Sequence, residues 1–244
     1  DGLKDKINIE WEYENSGYQY FLSRYECDSD GNRISDVTNL NNNSAITINV
    51  QAGNTFTYTD NTNIKSGCRY VYILTAKDTD LEVPSNPLTG ETLGTPNVLF
   101  DLDSVKHDSI TVSWNDVLKA TKYTVDFMDG STSLGSFVYD TESPSGNDIS
   151  HNNGIFTCSI QKPLGYDDAL KSGSSWTAKI TAENNLDSTT GTENVFTLGP
   201  KAVKNLTASV AESPSAITVT WDAVPGAKAY AVRRARCDVV SVNQ

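Results

Sequence analysis

The chain has 244 residues, 37% hydrophobic and 9% aromatic, with a formal net charge of −12. Enough apolar residues are present to argue against disorder, and the acidic balance speaks against a nucleic-acid partner or an anionic membrane surface. No apolar run approaches the roughly 18 residues of a membrane span, and no charged-then-apolar segment opens the sequence as given.

Asn, Thr, Ser, Asp and Gly are abundant and Met occurs once, a composition that favours strands and turns over helices. The first element is Ile7-Asn8-Ile9-Glu10-Trp11, with apolar residues on alternate positions, the pattern of a strand with one buried face. A second strand is predicted over Tyr20–Tyr25, beginning nine residues after Trp11. Asp28-Ser29-Asp30-Gly31-Asn32 follows as a turn, where Asp-Gly is favoured. Further strands are expected around Ala45–Val50 and near Thr55–Thr59. Ile64, Gly67 and Tyr70 then form a corner, with the Gly giving a tight entry to a strand that carries Tyr72, Leu74 and Ala76 at period two.

Gly94-Thr95-Pro96 reads as a domain junction. Beyond it the opening figure returns as Ile110-Thr111-Val112-Ser113-Trp114, with Tyr123 again nine residues on. Thr141–Asp148 reads as a long exposed loop, and Cys158 as a buried strand thiol. Leu170, Gly173 and Trp176 repeat the corner at the spacing of Ile64, Gly67 and Tyr70. Gly199-Pro200 marks a second junction, after which Ile217-Thr218-Val219-Thr220-Trp221 and Tyr230 give the figure a third time. The Trp-to-Trp spacings are 103 and 107 residues, the size of one β-sandwich domain. The chain is therefore read as all-β, in three units at 1–94, 95–199 and 200–244. The first is expected to lack most of an opening strand. The third holds only the first strands of its unit, so a complete sandwich cannot be built from it.

Laid side by side, these motifs resemble tandem fibronectin type III domains, over nearly the whole chain. In that family a Trp ends the second strand and a Tyr opens the third, as Trp11, Trp114, Trp221 and Tyr20, Tyr123, Tyr230 do here. The family's Leu-x-Pro-Gly-x-x-Tyr corner is matched by Ile64, Gly67 and Tyr70 and by Leu170, Gly173 and Trp176. Ser66 and Ser172 stand where the family has Pro, and Trp176 replaces the corner Tyr. The resemblance implies serial immunoglobulin-like sandwiches with those eight aromatic residues as core markers, and a spacer, adhesion or protein-binding role. It also implies that the third and sixth strands are neighbours, so that Cys27 and Cys68 could form a disulfide. Repeat two lacks both cysteines, which supports the pairing. The odd position of Cys27, against the even Tyr20 and Leu22, points it to the other face unless a bulge intervenes. Cys237 stands sixteen residues after Trp221, as Cys27 does after Trp11.

No catalytic signature accompanies the fold. His107 and His151 lie in polar, turn-like contexts with no Ser or Cys in a motif that would use them. In the Asp28 loop the Gly falls at the fourth position and Asn39 stands where a calcium loop needs its bidentate Glu. No Arg-Gly-Asp tripeptide occurs; Asn42-Asn43-Ser44 and Asn205-Leu206-Thr207 are glycosylation sequons. Tyr13, Tyr18, Tyr25 and Tyr58 could meet carbohydrate or protein, or could pair across strands. The sequence thus points to a non-catalytic module without cofactor or metal, extracellular or at the cell surface. Its expected partners are proteins or neighbouring domains, with carbohydrate unsupported. The alternatives are a structural component of a virion or fibre, or an accessory region of a secreted carbohydrate-active enzyme.

Overall fold

The structure is a computed structural model and describes residues 1–12, 17–46, 55–144, 148–161, 170, 172–199, 202–211, 216–224, 227 and 229–234. In the first repeat the strands are β1 (Ile7–Glu12), β2 (Gln19–Cys27), β3 (Thr38–Asn39), β4 (Thr55–Asp60), β5 (Arg69–Lys77), β6 (Glu82–Pro84) and β7 (Leu88–Glu91). β1 pairs antiparallel with β4 in one sheet, and β3, β2, β5 and β6 form the other, with β7 also on β5. Ile7 and Ile9 of β1, Leu22 of β2 and Tyr70 and Tyr72 of β5 meet between the sheets. Of the strand expected at Ala45–Val50, the Ile46 N–H bonds the Tyr20 carbonyl at 2.8 Å, and residues 47–50 lie outside the described residues.

The second repeat has β8 (Ile110–Asn115), β9 (Lys122–Asp129), β10 (Thr132–Asp140), β11 (Ile149–Asn152), β12 (Ile155–Ile160), β13 (Ser175–Glu183) and β14 (Ser188–Phe196). A three-stranded sheet in the order β11-β12-β8 faces a four-stranded sheet in the order β10-β9-β13-β14, all antiparallel. This is the strand arrangement of an immunoglobulin-like sandwich. Its core alternates as the sequence pattern requires: Ile110, Val112 and Trp114 from β8, Tyr123, Val125 and Phe127 from β9, and Trp176, Ala178 and Ile180 from β13. The fold is all-β. Of the loop expected at Thr141–Asp148, residues 141–144 are exposed and 145–147 lie outside the described residues.

In the third segment β15 (Thr207–Ala211) and β16 (Ala216–Thr220) form an antiparallel hairpin, Thr207 opposite Thr220. Ile217 is 64% exposed on it.

Both corners enter their strands through a left-handed glycine, Gly67 at φ 71° and Gly173 at φ 68°. A side chain would strain that conformation. The Tyr70 hydroxyl reaches back to accept from the Lys65 N–H at 2.9 Å, which ties the first corner to its strand. Trp176 is buried at the second.

Candidate functional site at the junction of the first two repeats

The aromatic markers of the first two repeats lie inside their sandwiches. Trp11 packs on Tyr20 and Phe56 at centroid distances of 6.3 and 5.9 Å. Trp114, at 0% exposure, stacks on Phe156 at 5.3 Å and leans on Tyr123 at 5.7 Å. Trp221 and Tyr230 keep the same pairing at 5.3 Å, yet Tyr230 is 39% exposed. Among the described residues no second sheet covers Tyr230.

The disulfide expected between Cys27 and Cys68 is not formed; both are free thiols. In the β2–β5 ladder Cys27 stands opposite Arg69, so Cys68 falls one residue beyond the pair. Successive residues point to opposite faces, and Cys68 packs toward the core of the first repeat while Cys27 does not. Cys158 is buried in the second core, where burial first, and then Asp148, push its thiol up to about 12.

The histidines serve structure. His151 stacks on Phe156 at 4.0 Å and sits 3.0 Å from the Asp116 carboxylate, and the His107 ring bonds the Gly199 carbonyl. Neither imidazole meets a serine hydroxyl or a thiol among the described residues. The Asp28 carboxylate is turned onto its own loop, accepting from the Asn32 side chain at 3.1 Å and from the Asn32 and Asp30 backbone at 2.8 and 2.9 Å. Those bonds, the Asn32 side chain first, hold its pKa below the usual carboxylate range. Of the surface tyrosines, Tyr25 pairs with Val71 and Tyr58 with Ile9 across the strands, Tyr18 is exposed, and Tyr13 lies outside the described residues.

Sequence reasoning did not find the built contact between the first two repeats. Leu93 closes the first repeat at 0% exposure, its N–H bonded to the Leu3 carbonyl at 3.1 Å and its carbonyl accepting from Gly67 N–H at 3.1 Å. The Gly94 N–H then donates to the Leu118 carbonyl of the second repeat at 2.9 Å, and the Gly94 carbonyl accepts from the Thr189 hydroxyl. A Cβ at Gly94 would lie 3.0 Å from Val117 Cγ1 and 3.3 Å from Leu118 N, so only glycine lets the turn after Trp114 approach this closely. The opening segment straps the other side. Asn184 Nδ2 donates to the Gly2 carbonyl at 2.9 Å, and the Lys4 N–H donates to the Asp187 carboxylate at 3.1 Å.

Charge completes the contact. The Glu91 carboxylate pairs with Arg69 of its own repeat and with Lys119 of the next, 2.9 Å away. Partial burial opposes ionisation of Glu91, but the two cations outweigh it and hold its pKa below the usual range. Beside this contact is a shallow cavity of about 340 Å³ bordered by Cys27, Cys68, Arg69 and Leu118.

No protein-family model and no curated relative matches the chain. Among solved structures it is similar to a two-domain fibronectin type III segment of chicken tenascin, at 16% identity and a TM-score of 0.36, covering 81% of this chain and 95% of that one. It is also similar to a chimeric titin Z1Z2 carrying a peptide from decorin, at 14% identity and a TM-score of 0.26, covering 81% of this chain and 91% of that one.

Proposed function

We propose that these serial immunoglobulin-like sandwiches, divided at 1–94, 95–199 and 200–244, act as a non-catalytic spacer and protein-interaction region of a larger secreted or surface-displayed protein. The observation that carries this reading is the closed contact at Leu93-Gly94. A spacer has to set the separation and angle of what it joins. Hydrogen bonds from Gly94 to Leu118 and from Asn184 to Gly2, with the Glu91–Lys119 pair, fix both at once. Flexible linkers are instead polar and free of such contacts. The acidic surface keeps the array soluble and turns it away from nucleic acid, which leaves proteins and neighbouring domains as partners.

The test is residual dipolar couplings on backbone amides of the whole chain. Spacer function expects the couplings of the first two repeats to fit one alignment tensor. Two independent tensors, or separate tumbling in relaxation data, would overturn it.

A further inference from the structure

In the second repeat the edge strand β10 runs along the whole of β9, from Asp129 to Lys122. In the first repeat the corresponding strand, β3, pairs with β2 only at Ser23 and Arg24. Beyond it the Leu40 N–H bonds the Leu22 carbonyl and the Ile46 N–H bonds the Tyr20 carbonyl, both at 2.8 Å. These anchors are two residues apart on β2 and six apart on the facing chain, where an antiparallel ladder needs equal intervals. The extra residues are lifted off the ladder beside Phe21.

The lifted loop has a set shape. Asn41, Asn42 and Asn43 are left-handed, at φ 55°, 53° and 62°, a conformation that Asn tolerates far better than most residues with a side chain. The Ser44 N–H bonds the Asn41 carbonyl at 2.9 Å, and Asn41 Nδ2 donates to the Ala45 carbonyl at 2.8 Å.

A cavity of about 310 Å³ lies between this loop and the sheet. Phe21 and its cross-strand partner Thr75 line it, with Asn39, Asn43, Lys77 and Glu82. Phe21 stands between the buried Tyr20 and Leu22, so alternation puts it on the outer face of the sandwich, where it is half-buried. The side-chain amides of Asn39 and Asn43 and the Thr75 hydroxyl make no hydrogen bond among the described residues. Lys77 is ion-paired with Glu82. In the second repeat Thr124 takes the place of Phe21, opposite Val138 of β10.

We infer that this cavity binds a single neutral sugar ring. The face of Phe21 carries the negative side of its quadrupole and suits the C–H groups of a sugar ring. Amides and a hydroxyl both donate and accept, as sugar hydroxyls do. The Lys77–Glu82 pair adds a donor and an acceptor without net charge, so an anion has no advantage there. The volume is at the small end of ligand pockets, enough for one ring. The inference is independent of the spacer reading, since the cavity belongs to the first repeat alone.

The experiment records amide NMR spectra of the whole chain during titration with glucose, galactose and N-acetylglucosamine, and with glucuronate. Each neutral sugar is used free and as its methyl glycoside, because a free sugar and the end of a glycan share the ring. Saturable shifts at Phe21, Asn39, Asn43 and Thr75 are expected with at least one neutral sugar. Preference for the glycoside would assign the site to glycan ends, and equal binding to free sugars as well. Phe21→Leu removes the ring but keeps an apolar side chain, and Asn43→Gly removes the amide but keeps the left-handed backbone. Neither residue belongs to the core of the first repeat. Each variant should bind about two- to tenfold more weakly, with thermal unfolding as the control for folding. No saturable shift with any neutral sugar, or shifts centred elsewhere, would overturn the inference. So would glucuronate binding as tightly as the neutral sugars, or undiminished binding by both variants.

Discussion

Tyr123 accepts, through its hydroxyl, a hydrogen bond from the backbone N–H of Val117 at 2.8 Å. The bond pins the turn that leaves Trp114 onto the next strand, and Tyr230 makes it again with Val224. It accounts for the nine-residue interval between Trp and Tyr. The two rings must pack against each other at a tilt while the phenol reaches the third amide after the Trp.

Tyr123→Phe keeps the ring contacts with Trp114 and Phe156 and removes the acceptor. The expected cost is about 0.5–1.5 kcal/mol, seen as a lower denaturant midpoint with an unchanged slope. Burial, against the bond from Val117, pushes the Tyr123 phenol up from 10.0 to about 12. A raised folded-state pKa contributes stability that is intact below the unfolded value and is lost as pH climbs through the folded one. The deficit of the Phe variant should therefore shrink between pH 10.0 and about 12. A deficit that stays constant or widens would contradict the assignment.

Arg24 of β2 and Asp60 of β4 form a buried ion pair between the two sheets of the first repeat, and Tyr72 donates to the same carboxylate at 3.0 Å. Asp60→Ala should destabilise the first repeat by about 3–5 kcal/mol, because Arg24 would be left buried and unpaired. Replacing both as Arg24→Met with Asp60→Leu should recover most of that loss. The measurement is thermal unfolding followed by signals assigned to each repeat. A double variant no better than the single one would show that the pair itself, not the stranded charge, matters.

Trp114→Ala should cost on the order of 3–5 kcal/mol and unfold the second repeat first. Trp114→Phe should cost less, since the indole N–H has no partner among the described residues and no bond is lost with it. Equal melting of the Phe and Ala variants in calorimetry would mean the indole holds a bond after all.

At the junction, acid should act through Glu91. Its pKa is depressed in the folded chain, so its contribution is present at neutral pH and lost as pH falls through that lowered value. Below about pH 4, the ordinary carboxylate range, the first two repeats should begin to move independently. Glu91→Gln should loosen them already at neutral pH and remove the acid response. The check is the agreement of the two repeats' alignment tensors against pH.

The sequence showed the strands because burial on one face writes itself as alternation, and it showed the corners because a left-handed turn selects Gly67 and Gly173. It did not show Arg24 and Asp60, which are 36 residues apart on different sheets. Nothing local distinguishes a buried charge from a solvated one until its partner is known. The junction was hidden for the same reason: Lys4 and Asp187 are 183 residues apart. The cysteine pairing turned on a single residue of register, and only the ladder with Cys27 opposite Arg69 decides it.

The strap formed by the first four residues has a practical side. Gly2 N–H bonds Glu91 O at 2.9 Å while Gly2 O is held by Asn184 of the second repeat. Whatever is attached ahead of Asp1 emerges at the waist of the pair, not at the far pole of the first sandwich. A fluorophore or affinity tag placed there would crowd the joint and blunt any measurement of its stiffness. Probes for distance or orientation belong instead on the exposed turn at Thr79, which follows β5 at its far end from Arg69, the partner of Glu91.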